Sequence, residues 1–445
     1  MLAKTKDKQQ LGFFTTFEEQ LNRQHPLYIL SNRVDWKKFE DAFRKHYCEN
    51  NGAPAKPIRL MVGLIILKHI RNLSDESVVE QWAENAYYQF FCGEEYFASA
   101  EPCVPTELVE FRKRIGEQGV ELIFQESIRI NGKDAKEEDG TTDTTVQEKN
   151  ITFPTDNKFH KKIIAQCRDI AGKENLELRQ SYTRVVKKLL RDLRFSHHPK
   201  NQVKARKAKR KIKTIAGRLV RELERKLPVD SLSKYFSSLE IFKKVLLQKR
   251  NDTQKIYSLH EPQTQCIAKG KEHKKYEFGS KASFITTKNS GVIIGALNIE
   301  KNDYDAHTLE PALAQQQRLT GHILKNNFVD RGYRGVKNVL GTNIIIPDNK
   351  KTGNNYQQQK LRHGFRRRAA IEPKIGHLKS DHRLSRNFYK GIFGDNINVM
   401  LAAAAMNFKR MMNKWKENPP LFIFVRWLYG LYEQIFLCRK LKMGF

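Results

Sequence analysis

Apolar positions recur at helical spacing from Trp36 to about Gly119, most clearly in Ile58, Met61, Val62, Ile65, Ile66 and His69, which predict an amphipathic helix opened by Pro57. A turn at 72–74 leaves Ser74 to cap a second helix carrying Val78, Val79 and Trp82, and an aromatic run of Tyr87, Tyr88, Phe90 and Phe91 follows. The tight corner between these helices reads either as a helix-turn-helix or as a core-forming pair. The pattern then changes. β-Branched density at 141–146 predicts a strand, with a brief alternation at 150–156 that ends at Pro154. From 158 to 250 the chain is helical and basic, with Ile163, Ile164, Cys167 and Ile170, then Val185, Val186, Leu189, Leu190 and Leu193 at helical spacing. Strands resume at 255–259, 282–287 and 291–299, the last two joined by a hairpin turn at 288–291. A helix over 308–326, a short strand at 328–330, a strand at 341–347 and helices from Phe365 onward complete the pattern. Strands interrupted by helices describe an α/β core, with 158–250 as a helical insertion.

Composition narrows the function. The 445 residues are 39% hydrophobic and 10% aromatic, which supplies buried cores for two to four domains of about 100–200 residues and excludes wholesale disorder. Lys and Arg number 81 against 49 Asp and Glu, a formal charge of +32, so a polyanion, nucleic acid first, is the expected partner. The 6 cysteines include no C-x-x-C pair, so a structural zinc site is disfavoured. No apolar run of signal-peptide length follows Met1, which predicts a cytoplasmic, nucleoid-associated protein with reduced thiols. The most apolar stretch, 421–437, is broken by Arg426 and Glu433 and reads as a packed terminal helix rather than a membrane span.

Three acids stand at strand ends or beside dense arginine: Asp143, Asp330 and Glu372. Each alone reads as a solvated carboxylate. Gathered together, they suit hard cations such as Mg²⁺, and two such ions about 4 Å apart clamp the attacking and leaving oxygens of a phosphodiester. Phe365, Arg368, Glu372 and Lys379 form F-x2-R-x3-E-x6-K, which puts Arg368 and Glu372 on one helix face. That pair reads either as a surface ion pair or as a metal ligand beside phosphate-binding Arg368 and Lys379. Arg331, Tyr333 and Arg334 follow the second acid and are candidates to steer a DNA backbone, with Tyr333 alternatively a core residue. In 302–308, Asp305 reads as a helix cap and His307 as structural or close to the scissile phosphate.

The stretches 143–156, 330–335 (DRGYRG) and R368-x3-E372-x6-K379, with 57–63 and the small-residue helix 400–407, resemble the transposases of bacterial insertion sequences, specifically the IS5 group within the IS4-like set of DDE transposases. The resemblance implies an RNase H-like core carrying Asp143, Asp330 and Glu372 as ligands of two Mg²⁺, with Mn²⁺ able to substitute. It implies cleavage at the terminal inverted repeats by activated water, then attack of the freed 3′-OH on target DNA. It also implies a homodimer on double-stranded DNA, because two ends are processed together. One departure is Phe365, where the family usually has Tyr, so the phenolic hydroxyl is absent.

The expected organisation is an N-terminal helical, end-recognition domain over 1–130, the first part of the core over 136–157, the basic insertion over 158–250, the rest of the core over 251–415 and a C-terminal helix over 416–445. Within the insertion, 200–226 holds 12 Lys and Arg against Glu222 and Glu224. Lys204, Arg206, Lys207, Lys209 and Arg210 there are candidates for contact with DNA phosphates, the alternative being a solvated face. A catalytically inactive or repurposed transposase that binds DNA as a repressor is the rival reading.

Overall fold

The computed structural model describes residues 15–47, 55–249, 251–268, 274–347 and 354–417. Among these residues, seven helices come first: α1 (Phe17–Gln20), α2 (Pro26–Arg33), α3 (Trp36–Arg44), α4 (Ile58–Ile70), α5 (Asp75–Glu84), α6 (Ala86–Cys92) and α7 (Pro105–Ile130). Every residue of α4 from Leu60 to Ile70 is buried. The apolar spacing is therefore one face of a helix that is covered on all sides, which is why α4 lacks a polar stripe. The predicted turn and cap are present: the Ser74 hydroxyl accepts from Ser77 N at 3.0 Å. Burial of Lys68 and Arg112 is compensated by Asp75, which accepts from Lys68 Nζ at 2.8 Å and from both Arg112 terminal nitrogens at 2.7 and 2.8 Å.

The chain then forms β1 (Asp139–Lys149), α8 (Asp156–Lys173), α9 (Thr183–Asp192), α10 (Gln202–Lys226), α11 (Val229–Leu247), β2 (Gln265–Ile267), β3 (Glu277–Thr287) and β4 (Ile293–Ile299). It ends, among the described residues, with α12 (Leu309–Thr320), β5 (Asn326–Phe328), β6 (Asn338–Val339), β7 (Thr342–Ile345), α13 (Asn355–Ala369), α14 (Ile371–Asp381), β8 (Arg386–Asn387) and α15 (Gly391–Glu417). The sheet is mixed. β1 pairs antiparallel with β3, β3 with β4, and on its other edge β1 runs parallel to β5, which runs parallel to β7. One hydrophobic cluster joins α4 and α7 to β3, β4 and α15, so the N-terminal helices and the sheet share a core. The small residues Ala402–Ala405 let α15 approach closely, and Asn407 satisfies the backbone of Ile293 through Oδ1 (2.9 Å) and Nδ2 (2.8 Å).

Helices α8–α11 build a second cluster around Ile163, Ile164, Cys167, Ile212, Ile215, Leu219 and Phe242. In α10 the apolar stripe Ile212, Ile215, Leu219 and Leu223 is buried, while Lys204, Arg206, Lys207, Lys209 and Arg210 are exposed. Several boundaries differ from the sequence expectation. Residues 255–259 form no strand, because Leu259 and Ile256 pack on the second cluster instead of joining a ladder. β1 ends at Lys149, and 150–154 has no regular structure ahead of α8. The helix predicted to reach 326 stops at Thr320, where Gly321 turns left-handed (φ 71°). The helical region before Glu372 begins at Asn355, capped by Asn354, whose Oδ1 accepts from Gln357 N at 2.9 Å. The proposed terminal helix over 421–437 lies outside the described residues, as do Cys48 and Cys438. No described helix is long and apolar enough to cross a membrane.

Candidate active site

Asp143 lies mid-strand in β1, between threonines whose branched side chains favour the extended backbone. The parallel register of β1 and β5 pairs Thr141 with Phe328, so two residues further on Asp143 stands level with Asp330. Neighbouring strands lie about 4.8 Å apart, which brings the two acids together. Asp330 leaves the strand and caps a short 3-10 turn over Arg331–Tyr333, its Oδ1 accepting from Gly332 N at 2.8 Å. A Cβ on Gly332 would stand 2.9 Å from that same oxygen and 3.3 Å from Asp305 Oδ2, so the glycine leaves room for both carboxylates.

Glu372 arrives from the first turn of α14 and Arg368 from the last turn of α13, across a break at Ala370. The Arg368 guanidinium gathers all three acids. Nη2 lies 3.4 Å from Asp143 Oδ2 and 3.7 Å from Asp330 Oδ2, and Nη1 lies 3.9 Å from Glu372 Oε1. These contacts are longer than the 2.7–2.9 Å of a tight charge-assisted bond, and Arg368 Nε is buried without a hydrogen-bond partner. The guanidinium is thus loosely held. The donors are all carboxylate oxygens, the set a hard divalent cation takes, and a positive charge already stands among them. In this conformation no three His, Cys, Asp or Glu among the described residues stand close enough to hold one ion. A cation held by all three would require the carboxylates to draw inward, and the exposed Glu372 (66%) has the most freedom to do so.

Tyr333 is fully buried, in line with its alternative reading as a core residue; burial, with Asp305, Asp143 and Asp330 nearby, pushes its phenol well above the ordinary value. The structure corrects one expected role. Asp305 does not cap a helix. Its Oδ1 accepts from Lys281 Nζ at 2.9 Å and from Thr144 Oγ1 at 3.1 Å, which makes it a fourth carboxylate beside the three. Lys281 enters from β3, the strand next to Asp143, and nothing in its sequence surroundings marks it, since it stands among small residues just before the strand that the pattern predicts at 282–287. His307 is exposed and packs edge-on against Tyr304 at 5.8 Å. Arg331 and Arg334 are exposed at the mouth of the turn, whereas Lys379 points to the buried Glu277 at 4.0 Å. Phe365 packs edge-on against Phe328 at 5.6 Å, so its ring ties α13 to the end of β5 without needing a hydroxyl.

Two family models match the chain. A "Transposase domain (DUF772)" model matches residues 15–114, the N-terminal helices, and a "Transposase DDE domain" model matches residues 252–408, which include Asp330, Arg368 and Glu372. Asp143 and helices α8–α11 fall between the two matches. The chain is 40% identical over 183 residues to the "Uncharacterized protein ORF8 in nfe locus" of Rhizobium meliloti, covering 40% of this chain and 88% of the relative. No solved structure matches.

Proposed function

The chain belongs to the DDE transposases, and we propose that it binds the ends of an insertion sequence of the IS5 group and catalyses metal-dependent strand cleavage and strand transfer. The observation that carries this reading is the convergence of Asp143, Asp330 and Glu372 on one guanidinium. The RNase H-like assignment of the core draws support from the antiparallel β4–β3–β1 run continued by the parallel β5 and β7, with acids at the ends and middle of adjacent strands.

Asp143, Asp330 and Glu372 would hold Mg²⁺ or Mn²⁺. When bound, such ions neutralise charge on the attacking and leaving oxygens of a phosphodiester. The chain's own residues do the rest. Lys281 pairs with Asp305 beside the site, and Asp305, by accepting from Thr144 Oγ1, steadies the backbone that carries Asp143. Arg368, once released from the carboxylates, stays within reach of a phosphate, as do the exposed Arg331 and Arg334. The cationic face of α10 would grip the duplex, and a homodimer would process both ends.

Asp143→Asn, Asp330→Asn and Glu372→Gln are each expected to abolish nicking of end-containing duplex while leaving gel-shift affinity for the same duplex within about twofold, because the basic surface is untouched. A variant that nicks as well as the wild type removes that residue from the site. The repressor reading forecasts a wild-type protein that binds the ends and never cuts them.

A further inference from the structure

Beyond the end of β1, away from Asp143, lies a group of aromatic rings, Phe153 and Tyr276 exposed and Phe278 and Tyr257 half-buried, that the carboxylate chemistry does not use. Phe153, in the loop after β1, is 60% exposed and meets Phe278 edge-on at 5.5 Å, while Tyr257 stands 5.4 Å from the same ring. Tyr276, two residues before Phe278, is 43% exposed. Scattered exposed rings are ordinary, but a contiguous set marks a binding surface. Lysines border it. Lys158 Nζ donates to the Phe153 carbonyl at 3.0 Å, Lys162 Nζ to Thr152 Oγ1 at 3.4 Å, and Lys275 Nζ lies 5.6 Å from the Tyr276 ring centre. The nearby acid Glu148 is already paired with Lys274.

We propose that Phe153, Phe278, Tyr257 and Tyr276 form a stacking platform for an unpaired stretch of DNA whose phosphates meet Lys158, Lys162 and Lys275. An apolar protein partner has no use for the lysine border, and a duplex keeps its base faces stacked internally, so rings beside ammonium groups suit a single strand best. The platform is separate from the carboxylates: Lys149 stands six residue steps along the strand from Asp143, about 20 Å. It would hold nucleotides several positions from the one being cut. The choice of DNA over RNA rests on the transposase reading.

The test uses the full chain with fluorescent dT12, U12 and a blunt random duplex, read by anisotropy. Phe153→Ala combined with Tyr276→Ala is expected to weaken dT12 binding at least about fivefold, the low end of what one stacked base contributes, with duplex affinity unchanged. Phe153→Trp, which enlarges the ring, should match or exceed the wild type. Should the double variant fail to fold by circular dichroism, 2-aminopurine within a dT12 strand should be quenched by stacking on the wild type, and no quenching overturns the platform. Unchanged dT12 affinity in a folded double variant, or an equal loss on duplex, also overturns it, and tighter binding of U12 overturns the choice of DNA. Asp143→Asn separates the two ideas: it should keep dT12 affinity while losing nicking. A wild-type protein that never nicks overturns the proposed function and leaves the platform standing.

Discussion

Arg368 puts one positive charge among three acids that are 16%, 39% and 66% exposed, so solvent screens the arrangement and its worth is modest. Arg368→Gln leaves Asp143 and Asp330 to repel each other on adjacent strands. Stability in urea is expected to fall by about 1 kcal/mol at low ionic strength, and the loss should shrink in 1 M salt, where the Debye length is about 3 Å. A loss that ignores salt would mean that packing, not charge, is what Arg368 provides. Asp75 is a more buried case. Burial alone would raise its carboxyl, but the Arg112 hydrogen bonds and the Lys68 charge outweigh it and hold it down to about 2. A folded pKa below the unfolded value of 3.8 means stabilisation that is complete above about pH 4 and is lost as pH falls towards 2, roughly 2–3 kcal/mol in all. Asp75→Asn strands two buried cations and should cost about 3 kcal/mol at pH 7 by urea titration. Its deficit relative to the wild type should narrow between pH 4 and 2, and a constant deficit would refute the electrostatic account.

At the scale of elements, the site depends on how closely α13 approaches β5. A Cβ on Gly364 would stand 2.3 Å from Phe328 Cε1, in the ring that precedes Asp330 by two residues and packs on Phe365. Gly364→Val should push α13 away, carrying Arg368 from Asp143, and so cut nicking at least tenfold while end binding holds; undiminished nicking would show that this approach does not position the site. The far end of β1 is held by Lys149, 2% exposed, with Nζ 3.0 Å from Glu261 Oε2 and 2.9 Å from Asp395 Oδ1. Burial pushes Asp395 up to about 6 against the Lys149 charge. Lys149→Met leaves two buried carboxylates facing each other, and a loss of about 3–5 kcal/mol in urea is expected. These contacts were not legible along the chain, because Gly364 and Lys149 lie just outside the helix and strand that spacing marked, and their partners are distant in sequence.

For the whole molecule, charge is the long-range quantity. Lys204, Arg206, Lys207, Lys209 and Arg210 face solvent on one helix, and among them Lys204 pairs with Asp192 at 3.0 Å. Replacing all five with Gln should weaken binding to any duplex and flatten the slope of log affinity against log salt by about 0.9 for each phosphate that is no longer neutralised. Discrimination between element ends and random DNA should hold, since phosphate contacts position without reading bases. Light scattering in the same salt series separates assembly from grip: a fall in mass from dimer to monomer assigns the face to a subunit interface, and an unchanged slope with unchanged mass leaves it solvated.

Periodicity and residue type were enough to place α4, α5, β1, β3, β4 and the helical insertion, because their signals are local: apolar spacing, β-branched density, a Ser cap and a hairpin turn. Charge pointed to nucleic acid for the same reason, since it sums along the chain without regard to fold. The order of Asp143, Asp330 and Glu372 was legible, but their meeting at Arg368 was decided by the parallel β1–β5 register and the break at Ala370, which join residues 185 and 225 positions apart. Burial of Tyr333 and recruitment of Asp305 by Lys281 and Thr144 were likewise tertiary outcomes. Two-residue strands such as β6 and β8 carry no pattern of their own and exist only because a neighbouring strand offers them a ladder.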